Sequence, residues 1–123
     1  MKILVIDDSS VICDLVKFTL TMKNHEVITA ENGDSGIKAA KKDQPDLILL
    51  DILMPKMNGY EACSILKKDK LTKDIPIFIL SSKGQMSDLE QAFKFGADNY
   101  ITKPFNPDKL NEIIFYKLSK IDK

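Results

Sequence analysis

Apolar and polar residues alternate in blocks along the chain, and the blocks predict five strands separated by five helices. Each predicted strand is a short apolar or β-branched run, whereas the segments between strands carry apolar residues at three- and four-residue spacing, which is typical of helices that cover a sheet. Five such units of about 25 residues predict an α/β fold, a doubly wound (βα)5 parallel sheet with helices on both faces. The predicted strands are residues 3–7, 26–30, 47–51, 75–80 and 99–102.

The most apolar of these runs, residues 47–50, ends in a single carboxylate, Asp51. A strand without polar positions is typically buried on both faces. In open α/β sheets, ligands bind outside the carboxyl ends of the strands, so the residues that follow the other strands are candidates for the same site. Those residues are Asp7 and Asp8 after the first strand, Ser81 after the fourth and Lys103 after the fifth.

Three helices carry clear start signals. The first helix begins near Ser9 or Ser10, and either hydroxyl can accept a backbone N–H as the N-cap. Asn58, with a glutamate three residues later, resembles a capping box before the third helix. Asn106 is the expected N-cap of the last helix, and Pro107 suits the first helical position, where no N–H is needed.

The composition is that of a single globular domain over residues 1–123. Hydrophobic residues make up 44% of the chain, which excludes a disordered chain. Lys plus Arg and Asp plus Glu number 18 each, so no overall positive field attracts nucleic acid or an anionic membrane. The apolar runs are far shorter than a membrane span or a signal segment, and we expect a cytoplasmic protein without membrane insertion.

Several conspicuous residues have structural rather than functional interpretations. Cys13 and Cys63 lie in separate predicted helices without metal or redox spacing, so we expect reduced, buried thiols. His25 lies alone in a predicted loop, and we expect it to be solvated. The lysine-rich stretch at residues 67–73 has no interleaved aromatic residues, so we interpret it as a solvated helix end rather than a nucleic-acid patch.

The three carboxylates of Asp7, Asp8 and Asp51 meet at the predicted edge and must be neutralised. Two unit charges about 4 Å apart repel by about 4 kcal/mol at an effective dielectric constant of about 20. Protonation of one acid or binding of a hard divalent cation relieves this repulsion. Mg²⁺ that retains several waters is the better choice for an exposed edge with few protein oxygens. Lys103 adds an ammonium and Ser81 a hydroxyl, so the edge predicts an oxyanion clamp suited to phosphoryl transfer.

The sequence lacks a nucleotide cradle. Its glycines form neither the dinucleotide-binding pattern nor the P-loop pattern. With no bound nucleotide and no second candidate nucleophile, the reacting group is best taken to be Asp51, whose carboxylate would attack phosphorus to form an aspartyl phosphate. The protein would then be its own substrate.

Four separated motifs, taken together, resemble the receiver domain of two-component response regulators. The resemblance covers essentially the whole chain, and the chain is most similar to stand-alone, chemotaxis-type members. It implies a flavodoxin-like sheet in the order 2-1-3-4-5 and a single receiver domain over residues 1–123 without an output domain. The motifs are Asp7-Asp8, the segment from Asp51 to Pro55 followed by Asn58-Gly59, Ser81, and Tyr100 with Lys103-Pro104-Phe105.

The resemblance also implies a role for each residue of the site. Asp51 would accept the phosphoryl group, Asp8 and Asp51 would ligate Mg²⁺ directly, and Asp7 would act through a water molecule. The backbone carbonyl of Leu53 would complete the protein ligands. Lys103 would contact the phosphoryl group, and its peptide bond to the following proline is expected to be cis, against the base rate for such bonds.

The resemblance further implies a switch and partners. Ser81 would move toward the phosphoryl group and let Tyr100 turn inward, remodelling the face formed by the fourth helix, fifth strand and fifth helix. The donor would be a phosphohistidine on a sensor histidine kinase, and the remodelled face would control a downstream target or separate output protein in chemotaxis-type signalling. The protein would not be an enzyme, although it assists its own phosphorylation and dephosphorylation, and it would be a monomer or a phosphorylation-dependent dimer. Lys83, two residues after Ser81, is expected to flank the phosphate.

Two functions of other classes stay open. A degenerate receiver that acts as an unphosphorylated docking module would be expected to lack one of Asp8, Asp51 or Lys103, and all three are present. A Mg²⁺-dependent small-molecule phosphatase would use a similar acidic cluster. It would normally need a second acid two residues after its nucleophile, where this chain has Leu53.

Overall fold

The computed structural model describes residues 1–54, 56–82 and 86–121, and for residues 86–89 it describes the backbone alone. Strands and helices alternate along the chain, as the hydrophobic pattern predicts. No helix in these ranges is both long and apolar enough to span a bilayer. The strands are β1 (Lys2–Ile6), β2 (Glu26–Ala30), β3 (Leu47–Asp51), β4 (Ile77–Ser82) and β5 (Asn99–Lys103). The helices are α1 (Ser10–Thr21), α2 (Gly33–Asp43), α3 (Gly59–Lys68), α4 (Met86–Lys94) and α5 (Leu110–Ser119), the last preceded by a 3₁₀ turn, Pro107–Lys109.

The strands form one parallel sheet in the order β2-β1-β3-β4-β5, which confirms the predicted fold and strand order. β3, the most apolar strand, lies at the centre. The register pairs Ile6 of β1 with Leu50 of β3, and Asp51 of β3 with Leu80 of β4. The residues that follow these strands therefore emerge side by side at one edge of the sheet.

Each face of the sheet has its own hydrophobic core, because side chains alternate between the two faces along a strand. Leu47 and Leu49 of β3 pack toward α1 and α5, while Ile48 and Leu50 pack toward α2, α3 and the end of α4. All four side chains are fully buried, and each such side chain contributes roughly 1.5 to 3 kcal/mol. Residues 47–50 of β3 are all apolar because helices cover both faces of the sheet.

The predicted helix starts are present. The Ser9 side chain accepts a hydrogen bond from the N–H of Ile12, so Ser9 and not Ser10 is the N-cap of α1. Asn58 accepts from the N–H three residues later at 3.0 Å. Asn106 caps the last helical segment, although Pro107 begins a 3₁₀ turn rather than a full α-helical turn. Both cysteines are free and buried, as predicted.

The prediction that His25 is a solvated loop residue is wrong. His25 is buried, and its Nε2 lies 2.7 Å from Oδ1 of Asn111. Its Nδ1 lies 3.1 Å from the amino group of Met1, and its ring packs against Phe115 with centroids 5.7 Å apart. Helix α5 covers this loop, and a contact between segments so far apart in sequence leaves no local signal.

The lysine-rich stretch is only partly the solvated helix end that we predicted. Lys67 lies half-buried, and its ammonium donates to the carbonyl oxygen of Ile75 at 2.9 Å and pairs with Asp98 at 2.9 Å. Asp98 also accepts a hydrogen bond from the N–H of Ile77. Lys67 therefore ties the end of α3 to the starts of β4 and β5, whereas Lys68, Lys70 and Lys73 are exposed.

Gly59 lets α3 begin directly against the end of β3. Its N–H donates to the carbonyl oxygen of Ile52 at 2.7 Å. A Cβ at this position would contact the carbonyl oxygen of Asp51 and would lie 2.6 Å from Cα of Ile52. A side chain at residue 59 is therefore incompatible with the backbone that presents Asp51.

Gly59→Ala is expected to lower the free energy of unfolding by about 1 to 3 kcal/mol, because the added methyl group meets main-chain atoms that cannot move independently. Chemical denaturation followed by circular dichroism measures the change. Gly33→Ala is the matched control, since its methyl group would meet the flexible side chain of Met57, 2.8 Å from Sδ. The control should change stability by less than about 1 kcal/mol, and equal losses in both variants would contradict this account.

Candidate functional site

Asp7, Asp8 and Asp51 meet at the carboxyl edge of the sheet, as predicted. Each offers a carboxylate oxygen, and the three oxygens lie within 4.8 Å of one another. Asp7 and Asp51 are buried and Asp8 is exposed. The backbone N–H of Ser9 donates to Oδ1 of Asp7 at 2.9 Å, which fixes that carboxylate at the start of α1.

Lys103 reaches the same edge from β5. Its ammonium lies 3.0 Å from Oδ2 of Asp7 and 3.2 Å from Oδ1 of Asp51. Partial burial lowers the pKa of Lys103, but hydrogen bonds and charges from Asp7 and Asp51 outweigh that effect and raise the pKa above its ordinary value. Lys103 is therefore held as a cation between two carboxylates.

The environment of Asp51 disfavours its charged form. Burial and, next, the charge of Asp7 raise the pKa of Asp51 from its ordinary 3.8 to about 6, although Lys103 pulls in the opposite direction. Three carboxylates thus share one ammonium among the described residues of the cluster. With every group ionised, the site carries an excess of negative charge.

The cluster fits a hard divalent cation. All three side chains offer oxygen ligands, and the oxygens lie close enough together that the group could hold a metal ion. Mg²⁺ prefers such a set with water at its remaining positions. Leu53 follows β3 and is 60% exposed. Because its side chain has no ligand atom, it could contribute only its backbone carbonyl oxygen, and its part in metal binding stays a prediction.

Ser81 lies at the end of β4, between the strands that carry Asp51 and Lys103. It is 2% exposed, and its Oγ has no hydrogen-bond partner in the part of the chain that the structure describes. An unsatisfied buried hydroxyl costs about 1 to 3 kcal/mol. The Ser81 hydroxyl can therefore donate a hydrogen bond to a group that arrives at this edge of the sheet.

Tyr100 lies half-buried on β5, the strand that ends with Lys103. Its ring packs edge-on against Phe93, and the ammonium of Lys117 lies over it, 4.9 Å from the centroid.

The peptide bond between Lys103 and Pro104 is cis, as the family resemblance implies. Pro55 and Lys83, which we also named from the sequence, lie outside the described residues.

Two acidic residues beside the cluster were not predicted from the sequence. A cavity of about 440 Å³ opens beside Asp7 and Asp8, and Thr29, Glu31 and Asp14 line its other sides. Glu31 follows β2 just as Asp7 follows β1, so the rule that found Asp7 could have found it. Asp14 leaves no such signal, because it lies within a helix.

Comparison with known proteins identifies the family. The model of the response regulator receiver domain matches residues 3–115. The chain is 43% identical over 109 residues to the DNA-binding dual master transcriptional regulator RpaA of Synechocystis sp., covering 89% of this chain and 45% of that protein. It is 41% identical over 110 residues to the alkaline phosphatase synthesis transcriptional regulatory protein PhoP of Bacillus subtilis, with the same two coverages. The chain spans about half the length of the curated relatives it matches.

Solved structures show the same fold. The chemotaxis protein CheY4 of Vibrio cholerae is 30% identical and superposes with a TM-score of 0.86, with 98% of each chain covered. The two curated relatives are named as transcriptional regulators, so they give no support to chemotaxis-type signalling. Because the family model covers nearly the whole chain and the strand order and acidic edge agree with it, the chain belongs to the response regulator receiver domain family.

Proposed function

We propose that this receiver accepts a phosphoryl group on Asp51 from a phosphohistidine of a sensor histidine kinase. One observation carries the proposal: Asp7, Asp8 and Asp51 converge at one sheet edge with Lys103 bound between two of them. In the transfer, a carboxylate oxygen of Asp51 forms a bond to phosphorus, and the bond from phosphorus to the imidazole nitrogen breaks. The imidazole takes up a proton as it leaves.

The other side chains prepare this step. Lys103 orients Asp51 and, from the same position, reaches an oxygen of the incoming phosphoryl group. Asp8 and Asp51 would hold Mg²⁺ directly, Asp7 would act through water, and the Leu53 carbonyl would complete the set. The exposure of Asp8 supports a direct role, while both oxygens of Asp7 already accept hydrogen bonds. Bound Mg²⁺ would neutralise charge on the carboxylates and the phosphoryl oxygens.

Phosphorylation would switch the protein through Ser81 and Tyr100. The buried hydroxyl of Ser81, which has no partner in the described part of the chain, gains an acceptor when a phosphoryl group arrives on Asp51. Movement of Ser81 would open room for Tyr100 to turn inward. The consequence is a changed surface on α4, β5 and α5, which is the surface that a target would recognise.

The downstream output is proposed from the relatives. RpaA and PhoP are named as transcriptional regulators, which favours control of transcription over chemotaxis for this chain. We infer that the phosphorylated receiver controls an output protein rather than contacting nucleic acid itself, since its acidic and basic residues balance. The receiver would act on no substrate other than the phosphoryl group that it carries.

The two alternative functions have less support. A small-molecule phosphatase needs an acid two residues after its nucleophile, and the side chain there is the exposed, apolar Leu53. A docking module without phosphorylation has no use for a half-buried lysine between Asp7 and Asp51, yet that arrangement is intact. Neither alternative accounts for the whole site.

Incubation with Mg²⁺ and a small phosphodonor, such as phosphoramidate, is expected to add one phosphoryl group, which intact-mass spectrometry detects. Asp51→Asn should abolish the adduct, because the amide oxygen is a poor nucleophile. Asp74→Asn is the control, since Asp74 is exposed and remote in sequence from every residue of the cluster, and it should react at the wild-type rate. Steady turnover of the donor without an adduct would refute phosphorylation of Asp51 and favour a phosphatase.

Removal of the Asp51 charge is expected to stabilise the metal-free protein at pH 8. The raised pKa means that the folded state binds more protons at Asp51 than the unfolded state does between about pH 4 and pH 6, so stability is lost as the pH rises through that range. Asp51→Asn mimics the neutral form and should raise the free energy of unfolding by about 1 to 2 kcal/mol in EDTA.

Denaturation curves at several pH values measure this effect. The difference between Asp51→Asn and wild type should shrink as the pH falls below about 6, where the wild-type carboxyl becomes neutral too. Excess Mg²⁺ should also shrink it, because wild type gains a ligand that the variant holds less well. Asp74→Asn should stay within about 0.5 kcal/mol of wild type throughout. A variant less stable than wild type at pH 8 in EDTA would contradict the argument.

A further inference from the structure

Tyr100 is held in its half-exposed position by a lysine from another element. The ammonium of Lys117, in the last turn of α5, lies 4.9 Å from the centroid of the Tyr100 ring. The same ammonium lies 3.3 Å from Oδ1 of Asn99, the neighbour of Tyr100 on β5. Phe93 contacts the ring edge-on, with centroids 6.2 Å apart and planes at 74°. Lys117 therefore contacts two neighbouring residues of β5, Asn99 and Tyr100.

Among the side chains that the structure describes, which exclude those of residues 86–89, Lys117 has no carboxylate partner, and its ammonium contacts the Tyr100 ring and the amide oxygen of Asn99. A cation within about 6 Å of an aromatic face is attracted to it. The end of α5 also favours a cation, because the helix dipole places partial negative charge there. Lys117 is therefore well placed to act on the ring through its charge as well as through its packing.

The structure shows this contact in one position of the ring. If Tyr100 turned inward, as the proposed function requires, its face would leave the ammonium and the attraction would be lost. A contact that is present in one of two states shifts the equilibrium toward that state by the factor that the contact contributes. For a half-exposed cation and ring, that factor is about two- to fivefold.

We propose that Lys117 is a positioning residue that holds Tyr100 outward and so sets how readily the receiver switches. The proposal rests on the proposed function in one respect, namely that inward Tyr100 accompanies the phosphorylated state. The Ser81 hydroxyl, which has no partner among the described residues, agrees with it, because it occurs together with a half-buried Tyr100 under Lys117 in this structure. The strength of the Lys117 contact would decide how much of the protein is switched before any phosphoryl group arrives.

The helix offers variants that separate charge from packing. Lys117→Met keeps an unbranched side chain of similar length and removes the charge, whereas Lys117→Arg keeps a cation that can stack on the ring. Lys120→Met is the matched control. Lys120 lies over Tyr116 at 5.1 Å, the same kind of contact at the end of the same helix, but Tyr116 is exposed and lies outside the sheet.

Two measurements test the proposal. Fluorine NMR of protein labelled with 3-fluorotyrosine reports the position of the Tyr100 ring, with Tyr60→Phe and Tyr116→Phe used to assign its signal. Titration with fluoroberyllate in excess Mg²⁺ reports how easily the phosphorylated form is mimicked. Lys117→Met should raise the inward population in metal-free protein about two- to fivefold and tighten the apparent fluoroberyllate affinity by about the same factor, because the two effects are linked. Lys117→Arg and Lys120→Met should match wild type in both measurements.

The outcomes distinguish this inference from the proposed function. Equal Tyr100 signals and equal fluoroberyllate affinities in Lys117→Met and wild type would overturn the inference, while the proposed function would stand if wild type forms the phosphoryl adduct. A shift in Lys117→Met that Lys117→Arg shares would also overturn it, since charge would then play no part. If wild type accepts neither fluoroberyllate nor a phosphoryl group, the proposed function fails, and the metal-free Tyr100 signal still decides the role of Lys117.

Discussion

The structure depends on how negative charge is accommodated at the rim of a buried sheet. Parallel strands bring Asp7, Asp8 and Asp51 to the same edge, and apolar packing behind them removes much of the water that would screen their repulsion. The ammonium of Lys103 neutralises part of this negative charge, and the carboxylates in turn raise the pKa of Lys103. The negative charge that is not neutralised contributes, with burial, to the raised pKa of Asp51. Such an edge attracts a cation, and a loss of negative charge at Asp51 is favourable there.

The remainder of the fold keeps this charge in place. β3 is buried on both sides because its alternate side chains belong to two different cores, so Asp51 cannot move away from the neighbouring strands. Gly59 brings α3 against the backbone of Asp51 and Ile52. The N–H of Ser9 fixes Asp7 where α1 begins. The repulsion is therefore sustained by rigid backbone rather than by flexible side chains that could relax.

The sequence predicts those parts of the site that follow from strand periodicity. Asp7, Asp51, Ser81 and Lys103 could be named because each follows or ends a strand, and parallel strands end at one edge. The roles of Leu53 and Tyr100 depended on the family resemblance. The contacts of His25, Lys67 and Lys117 could not be predicted, because each joins segments that are distant in the sequence and depends on how helices settle over strand ends. Periodicity assigns a face to a residue, but it does not identify the partner on that face.

The resting state described here holds two unfavourable features at once, excess negative charge around Asp51 and an unpartnered Ser81 hydroxyl within the described chain. A phosphoryl group on Asp51 would supply the acceptor that Ser81 lacks, but it would add negative charge to the rim. Relief of the excess negative charge around Asp51 therefore depends on cations, and the single positive charge of Lys103 does not neutralise three carboxylates. By this reasoning metal binding and switching are coupled, because the hydroxyl can be satisfied only when the added charge is neutralised. The aromatic contact at Tyr100 opposes the change from the other side of β5, so the balance between the two states is set jointly at the rim and at the surface.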